Sequence, residues 1–306
     1  IAASDVSHVI TRHNWTTGRH YSMYKDTETF SNLISTRTSQ TLANTAGTGT
    51  TTASLYPMYV MNSTYGVYKC LYNSEVEISG TNYPKVSTVE PTATTTTAGA
   101  PAALADGYVW KYLFTVAPSD IIKFETSDFI PVPLNWATNS NNESVRDNAV
   151  DGSSKIVTVT NRGESVGPVG GTEYRNVPIK GDGSGAECTI TTTNDQQVDT
   201  IVISKQGSGY TYGSVDLKAG SVPTGTTRPE FNVIIPPQGG HGSNIYRELG
   251  AYNVLLYSRI ENDNENPDFI TGNDIARVGV VCNPQQFNST SLLSADKASS
   301  LGALRL

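Results

Sequence analysis

The sequence predicts a mainly β, multi-domain protein with few short helices, and three observations carry that prediction. Hydrophobic residues make up 37% of the 306-residue chain and charged residues only 16%, against roughly 25% charged in an ordinary soluble domain. Thr, Ser, Asn and Gly fill the difference, which gives a polar but weakly charged surface suited to strands and turns. β-Branched and aromatic runs recur along the chain, and glycine punctuates its middle at the spacing of turns between antiparallel strands. The length alone sets a soft prior of about two domains.

In chain order, the first expected element is a short helix from Ser4 to His13, capped by Ser4 or Asp5, with Val6, Val9 and Ile10 at helical spacing. Ser31 to Ser54 is mostly Ser, Thr, Ala and Gly and reads as a long surface loop, as does the Thr-rich tract Thr92 to Ala103. Between them, Tyr59 to Met61 and Tyr65 to Tyr72 read as two strands around a turn at Asn62-Ser63. Tyr108 to Val116 is an aromatic strand, with Tyr108, Trp110, Tyr112 and Phe114 on one face. Lys111 lies on the other, where it is expected to meet solvent or an acidic partner. Pro118-Ser119-Asp120 opens a turn of helix, and alternating prolines keep Phe129 to Pro133 extended. Asn141 to Val150 reads as a helix capped by Asn139 or Ser140.

Composition changes at Asp151-Gly152. Ile156 to Val159, Cys188 to Thr191, Val198 to Ser204 and Phe231 to Ile235 are short β runs separated by glycine turns, closed by Pro236-Pro237-Gln238-Gly239-Gly240. Beyond them, Ser243 or Asn244 caps a short helix through Glu248, and Tyr252 to Ile260 and Ile275 to Val281 read as strands. The expected division is therefore a first β domain (1–150), an inserted Gly-rich β domain (151–237) and a segment returning to the first (238–306). The two flanks would make one antiparallel, sandwich-like domain.

Charge and motif exclude several functions. Twenty-one basic residues against 28 acidic ones leave a net charge of −7, so nucleic acid is not an expected partner. No run of 18 apolar residues exists to span a membrane. Cys70, Cys188 and Cys282 are odd in number and far apart, which argues for a reducing compartment and for small buried hydrophobes. His8, His13 and His20 lack metal-ligand spacing and read as an Arg/His-rich surface segment. Glu261 to Asn266 is oxygen-rich but fails the register of a calcium loop. Gly181-Asp182-Gly183-Ser184-Gly185-Ala186 satisfies G-x-G-x-x-A, yet β sequence follows it, so a tight hairpin is expected rather than a dinucleotide site. With no G-x-S-x-G and no cysteine in a recognisable active-site setting, no catalytic, metal or cofactor-binding residue is expected, and enzyme is the weaker class.

Asp106-Gly107-Tyr108-Val109-Trp110-Lys111-Tyr112-Leu113-Phe114 resembles the D-G-Y-x-W-x-Y-L-F segment of the dimeric baseplate wedge subunit of T-even-like contractile-tailed phages. Val9-Ile10-Thr11-Arg12-His13-Asn14-Trp15 with Arg19-His20-Tyr21 is similar to that family's V-I-x-R-x-x-W…R-Y, and Val67-Tyr68-Lys69-Cys70-Leu71 to its V-Y-x-C-L. Phe129 to Pro133 resembles its extended exit strand. The Gly-rich middle and Asn253 to Val281 resemble the longer, cyanophage-type members. The resemblance implies a homodimeric, non-enzymatic virion protein, assembled in the host cytoplasm, that bridges other baseplate wedge proteins and shifts its contacts on infection. It also implies that part of the first domain precedes Ile1.

On this reading Asp106, Gly107, Tyr108, Trp110, Tyr112 and Phe114 form a core motif. The Pro/Gly-rich stretch Pro236 to Ser243 reads either as an exposed, adaptable docking loop or as a plain interdomain linker. Interface residues would be Pro237, Gln238, His241, Asn244 and Tyr246, with Trp15 and Tyr21. Two other classes stay open: a carbohydrate- or receptor-binding tail protein that stacks sugars on Tyr210 and Tyr212, and a polysaccharide-degrading enzyme with two carboxylates across a cleft.

Overall fold

A computed structural model describes residues 6–94, 101, 103–138, 143–257 and 281–282. The chain runs through β1 (Val6–Thr11), β2 (His20–Tyr21), α1 (Phe30–Ile34), β3 (Arg37–Ala43), β4 (Thr50–Tyr56), β5 (Tyr59–Met61), β6 (Gly66–Asn73), β7 (Val76–Ile78) and β8 (Thr81–Tyr83). Then follow β9 (Tyr108–Thr115), α2 (Pro118–Phe124), β10 (Phe129–Pro131), α3 (Glu143–Asp147) and β11 (Ile156–Asn161). The Gly-rich stretch adds β12 (Glu173–Gly181), β13 (Ser184–Thr192), β14 (Val198–Ser208), β15 (Gly213–Val215) and β16 (Glu230–Ile234). The last described elements are α4 (Ile245–Leu249), β17 (Asn253–Leu256) and β18 (Val281–Cys282). The protein is mainly β, and none of the described helices is long and apolar enough to cross a membrane.

The chain forms two compact units. The smaller gathers the described residues of 1–12, 114–142 and 245–306 around a sheet of order β10-β1-β17-β18. Here the expected first helix is a strand instead. Val9 and Ile10 of β1 lie opposite Pro131 and Ile130, while Ser7 and His8 lie opposite Leu255 and Val254. Val-Ser-His-Val-Ile-Thr is rich in β-branched residues, and a strand partner on each side pairs its backbone groups, which outweighs the helical spacing of three valine and isoleucine residues. β1 is also buried from Val6 to Ile10, so the expected Arg/His surface segment is not one: His8 is 7% exposed and His20, in the other unit, 5%. α2 starts at Pro118, whose preset φ suits the first turn, and its Asp120 and Lys123 complement the helix dipole. Arg12 pairs with the Glu125 carboxylate and donates to the Thr126 carbonyl at 2.9 Å.

The larger unit gathers the described residues of 13–113 together with 143–244. Its first lobe, residues 13–113, holds the sheets β2-β4-β3 and β5-β6-β9 and the hairpin β7-β8. Much of the expected surface loop Ser31 to Ser54 is regular structure: α1, capped by the Thr29 side chain, then β3 and β4 paired in register at Thr41↔Thr52 and Leu42↔Thr51. Threonine is a good strand former, and Leu42, Ala43 and Leu55 anchor the pair in the core. The strands expected at 59–73 and 108–116 are present as β5, β6 and β9.

The second lobe, residues 143–244, pairs β11 with β16 and orders the rest as β14-β13-β12-β15. Its core is small and aliphatic: Val157, Val177, Ile179, Cys188, Ile190, Val198 and Val233, with Tyr210. The Gly181-Asp182-Gly183 turn joins β12 to β13 as a hairpin, as expected. Asp182 ties it down by accepting from the Thr211 amide at 2.9 Å and the Thr211 hydroxyl at 2.6 Å.

The compact units cut the chain elsewhere than at 151 and 237. Ile234 of β16, with Ile156 of β11 beside it, packs into the same cluster as Tyr21, Tyr68, Tyr108 and Trp110, so the Gly-rich lobe shares a core with the aromatic one. The expected N-caps at Ser4, Asp5, Asn139 and Ser140, most of the Thr92 to Ala103 tract, the Glu261 to Asn266 loop and most of the strand at 275–281 lie outside the described residues.

Candidate functional site

In the first lobe, separate sequence stretches meet at one polar anchor. Asp106 sits in the turn before β9, and its Oδ2 accepts from Ser87 Oγ (3.1 Å) and from the amides of Thr88 (2.8 Å) and Val89 (3.0 Å). Its Oδ1 accepts from the Tyr108 amide at 3.1 Å. Gly107 follows at φ +85°, where a Cβ would stand 2.3 Å from Ser74 Oγ, so only glycine fits between the two anchored residues. Ser87 Oγ also takes the Trp15 indole N–H at 3.1 Å, and its backbone bonds to Gly18 and Arg19. Tyr108 donates its hydroxyl to the Lys85 carbonyl at 2.6 Å and accepts the Tyr21 amide at 3.2 Å.

Around this anchor the rings interlock. Tyr108 stacks on Trp110 at 5.7 Å, Tyr21 meets Trp110 edge-on at 5.4 Å, and Tyr68 meets Tyr112 at 5.6 Å. Offset and edge-to-face pairs of this kind add roughly 0.5–1.5 kcal/mol beyond their buried area. Burial pushes the Tyr21 hydroxyl up to about 12 and raises that of Tyr108, so both rings stay protonated and serve as hydrogen-bond struts. Of the expected motif, Asp106, Gly107, Tyr108, Trp110 and Tyr112 join Trp15 and Tyr21 in this lobe. Phe114 belongs to the smaller unit, where it packs against Trp136 at 6.5 Å.

A second cluster was not visible in the sequence. Lys69, in the middle of β6, is fully buried; its Nζ lies 3.1 Å from His241 Nδ1 and 4.2 Å from the centre of the Tyr24 ring. The Tyr24 and His241 rings meet edge-on at 4.8 Å. Lys111, expected to meet solvent or an acidic partner, is 7% exposed, because both faces of β9 are covered, so solvent is not what it meets. Lys155 and Ser153 both donate to the side-chain amide oxygen Oε1 of Gln206, each at 2.9 Å. Burial, helped by the charge of Lys111, lowers the Lys155 amine to about 8. Beside it a cleft of about 440 Å³ runs between β11, β14, Tyr72 and Val109. A lysine inside an otherwise apolar strand, as in Val-Tyr-Lys-Cys-Leu, is the one sequence signal that points to such burial.

The expected docking loop is threaded into the fold rather than free. Gly240, His241 and Gly242 are buried, Pro237 is half-buried, and only Gln238 and Asn244 are exposed. Gly239 bonds to the Asp151 carboxylate at 2.7 Å. Tyr246, in the smaller unit, is held by its hydroxyl between the Pro133 carbonyl (2.6 Å) and the Trp136 amide (3.2 Å). Tyr21 is 1% exposed, a core residue rather than an interface one, and Trp15 is half-buried. Tyr210, expected to stack on sugars, is 3% exposed: it donates to the Ile179 carbonyl at 2.9 Å and plugs the Gly-rich lobe, while Tyr212 is 63% exposed.

Among the described residues no group of three or more His, Cys, Asp or Glu could hold a metal ion. Cys70 and Cys188 are buried free thiols, as their sequence setting suggests. No protein-family model, curated protein or solved structure matches the chain.

Proposed function

We propose that the protein is a structural component of the baseplate wedge of a contractile phage tail, a homodimer that bridges neighbouring wedge proteins. One observation carries the reading. The family-like stretches around Trp15 and Tyr21, Val67 to Leu71, and Asp106 to Tyr112 converge on a single hydrogen-bonded aromatic core. Convergence of this kind is what related folds share, and it favours a common architecture over chance likeness of short strings.

The physics suits a mechanical role. Struts such as Trp15–Ser87–Asp106 and Tyr21–Tyr108 span up to 91 residues of chain and lock rotamers inside a close-packed interior. The weakly charged surface suits shape-matched interfaces, whose cores are depleted in charge. The loop at 237–244 presents the exposed amides Gln238 and Asn244 on a frame fixed by buried His241, so contacts there would form with little loss of backbone freedom.

Light scattering of the purified chain, cross-linking to candidate wedge proteins, and its position in an intact tail by cryo-EM test the proposal together. A dimer located in the wedge is the expected result. A chain that stays monomeric at high concentration and is absent from the tail overturns it.

A further inference from the structure

Two neighbouring strands of the second lobe, β11 and β14, are tied together at their ends. At one end the Val198 amide donates to the Arg162 carbonyl at 2.9 Å, and Arg162 Nη1 donates to the Val198 and Asp199 carbonyls at 2.6 and 2.8 Å. At the other, the Gly209 and Tyr210 amides donate to the Asp151 and Gly152 carbonyls at 2.9 and 3.3 Å. Between these ties the two strands belong to different sheets. The cleft of about 440 Å³ opens there, walled by the run Asp199 to Ile203 of β14, by Lys155 to Val157, and by Val109 of β9.

The walls favour hydrocarbon over water. Val202 is 59% exposed, and Ile156, Val159 and Ile201 are half-buried, so β-branched side chains meet solvent inside a concave site. A cleft of several hundred Å³ with such walls suits a small apolar ligand, because each methylene moved onto them from water is favourable. Charge narrows the choice. Glu75 lies 3.0 Å from Lys25 and Arg162 lies 3.4 Å from Glu77, so these wall charges are matched by neighbours. Asp199 stands exposed at the Arg162 end. The Lys155 end is cationic: Lys111 follows Val109 by two residues on the same face of β9, and its charge acts on the Lys155 amine. Burial and that like charge both work against the lysine cation, and a carboxylate bound there would offset both.

We propose that this cleft binds a medium-chain fatty acid, with its carboxylate at Lys155 and its hydrocarbon chain along β14. The assignment is independent of the baseplate reading.

Calorimetric titration of the full chain with butanoate, hexanoate and octanoate tests it. Saturable binding that tightens roughly fourfold per methylene is expected, with octanol bound roughly tenfold more weakly than octanoate. Lys155→Met should bring octanoate down to the affinity of octanol. Val202→Asp, at an exposed position, should weaken both ligands roughly tenfold by placing a charge against the chain. Circular dichroism verifies that each variant is folded. In the unsubstituted chain, methyl NMR should show octanoate shifting Ile201 and Val202, a readout that depends on no variant. The proposal fails if octanoate does not bind saturably, if affinity is flat with chain length, or if octanol binds as tightly as octanoate. It fails equally if folded Lys155→Met binds like the parent or if the shifted methyls lie elsewhere.

Discussion

The two lobes of the larger unit solve the same problem with different materials. Residues 13–113 build their core from Tyr21, Tyr59, Tyr68, Tyr108 and Trp110 and hold it in place by side-chain hydrogen bonds to the backbone. Residues 143–244 use valine, isoleucine, alanine and cysteine, and let glycine bring backbones close enough to seal the small core. Gly152 shows this second device. At φ +61° its missing Cβ leaves room for the Tyr210 amide, which would otherwise stand 2.1 Å away. Polar anchors thus specify the first lobe, and close backbone approach around the buried Tyr210 ring specifies the second.

The largest effect should come from that plug. Tyr210→Ala removes the fully enclosed aromatic ring of the Gly-rich core, against which Tyr174 and Phe231 pack only partly buried, and is expected to cost about 3–5 kcal/mol, read as a lowered urea midpoint with loss of amide protection in β12 to β14. Equal protection in the two lobes of this variant would mean that they unfold as one and that they differ only locally. Next, Asp106→Ala leaves the Thr88, Val89 and Tyr108 amides and the Ser87 hydroxyl without their acceptor, a loss of about 2 kcal/mol. Asp106→Asn should recover part of it, since one amide oxygen can still accept from two of them.

A pH effect of similar or smaller size separates the lobes further. Burial lowers His13 in the first lobe to about 4 from 6.5, so below about 6.5 the unfolded chain takes up a proton that the folded chain refuses. Stability is therefore whole above that value and falls as the pH drops toward 4, by on the order of 2 kcal/mol. Urea titrations across that window should show a shallower slope in His13→Gln than in the parent, the remainder coming from His8 and His20, which burial also lowers. The smallest expected effect lies in the Gly-rich hairpin. Bonds from the Thr211 hydroxyl and amide hold Asp182 down to about 2, so its contribution is present above about 4 and disappears as the pH falls through 2. Thermal melts of Asp182→Asn should lose that acid dependence with little change near neutrality, because the carboxylate is exposed and screened.

Strand content and the position of the hairpins were legible because Tyr108 to Thr115 and Val198 to Ser208 carry their own propensity, and because the glycine turns between strands are local. β1 was not, because Val6, Val9 and Ile10 satisfy both a helical and an extended pattern. The decision rests with partners at Ile130 and Val254, far along the chain. β3 and β4 were hidden for a related reason: Thr-rich sequence is neutral between loop and strand until a neighbour pairs with it. The candidate sites were less legible still. Asp106, Gly107 and Tyr108 stood out as a string, but Ser87, which joins them to Trp15, carries no local signal. Lys69, Lys111 and Lys155 look like surface residues by type.

By itself the sequence determined the β class, the glycine-turned middle, and the aromatic strand that dominates the first lobe, since these follow from propensity and short-range pattern. Only the tertiary structure decided which strands pair, that the Gly-rich lobe shares a core with the aromatic one, and which polar side chains are buried. The pairings that make β1 a strand, and the contact of buried Lys69 with His241, join residues more than a hundred positions apart. The energy of a buried amine or amide depends on who its neighbours are, which chain order does not record.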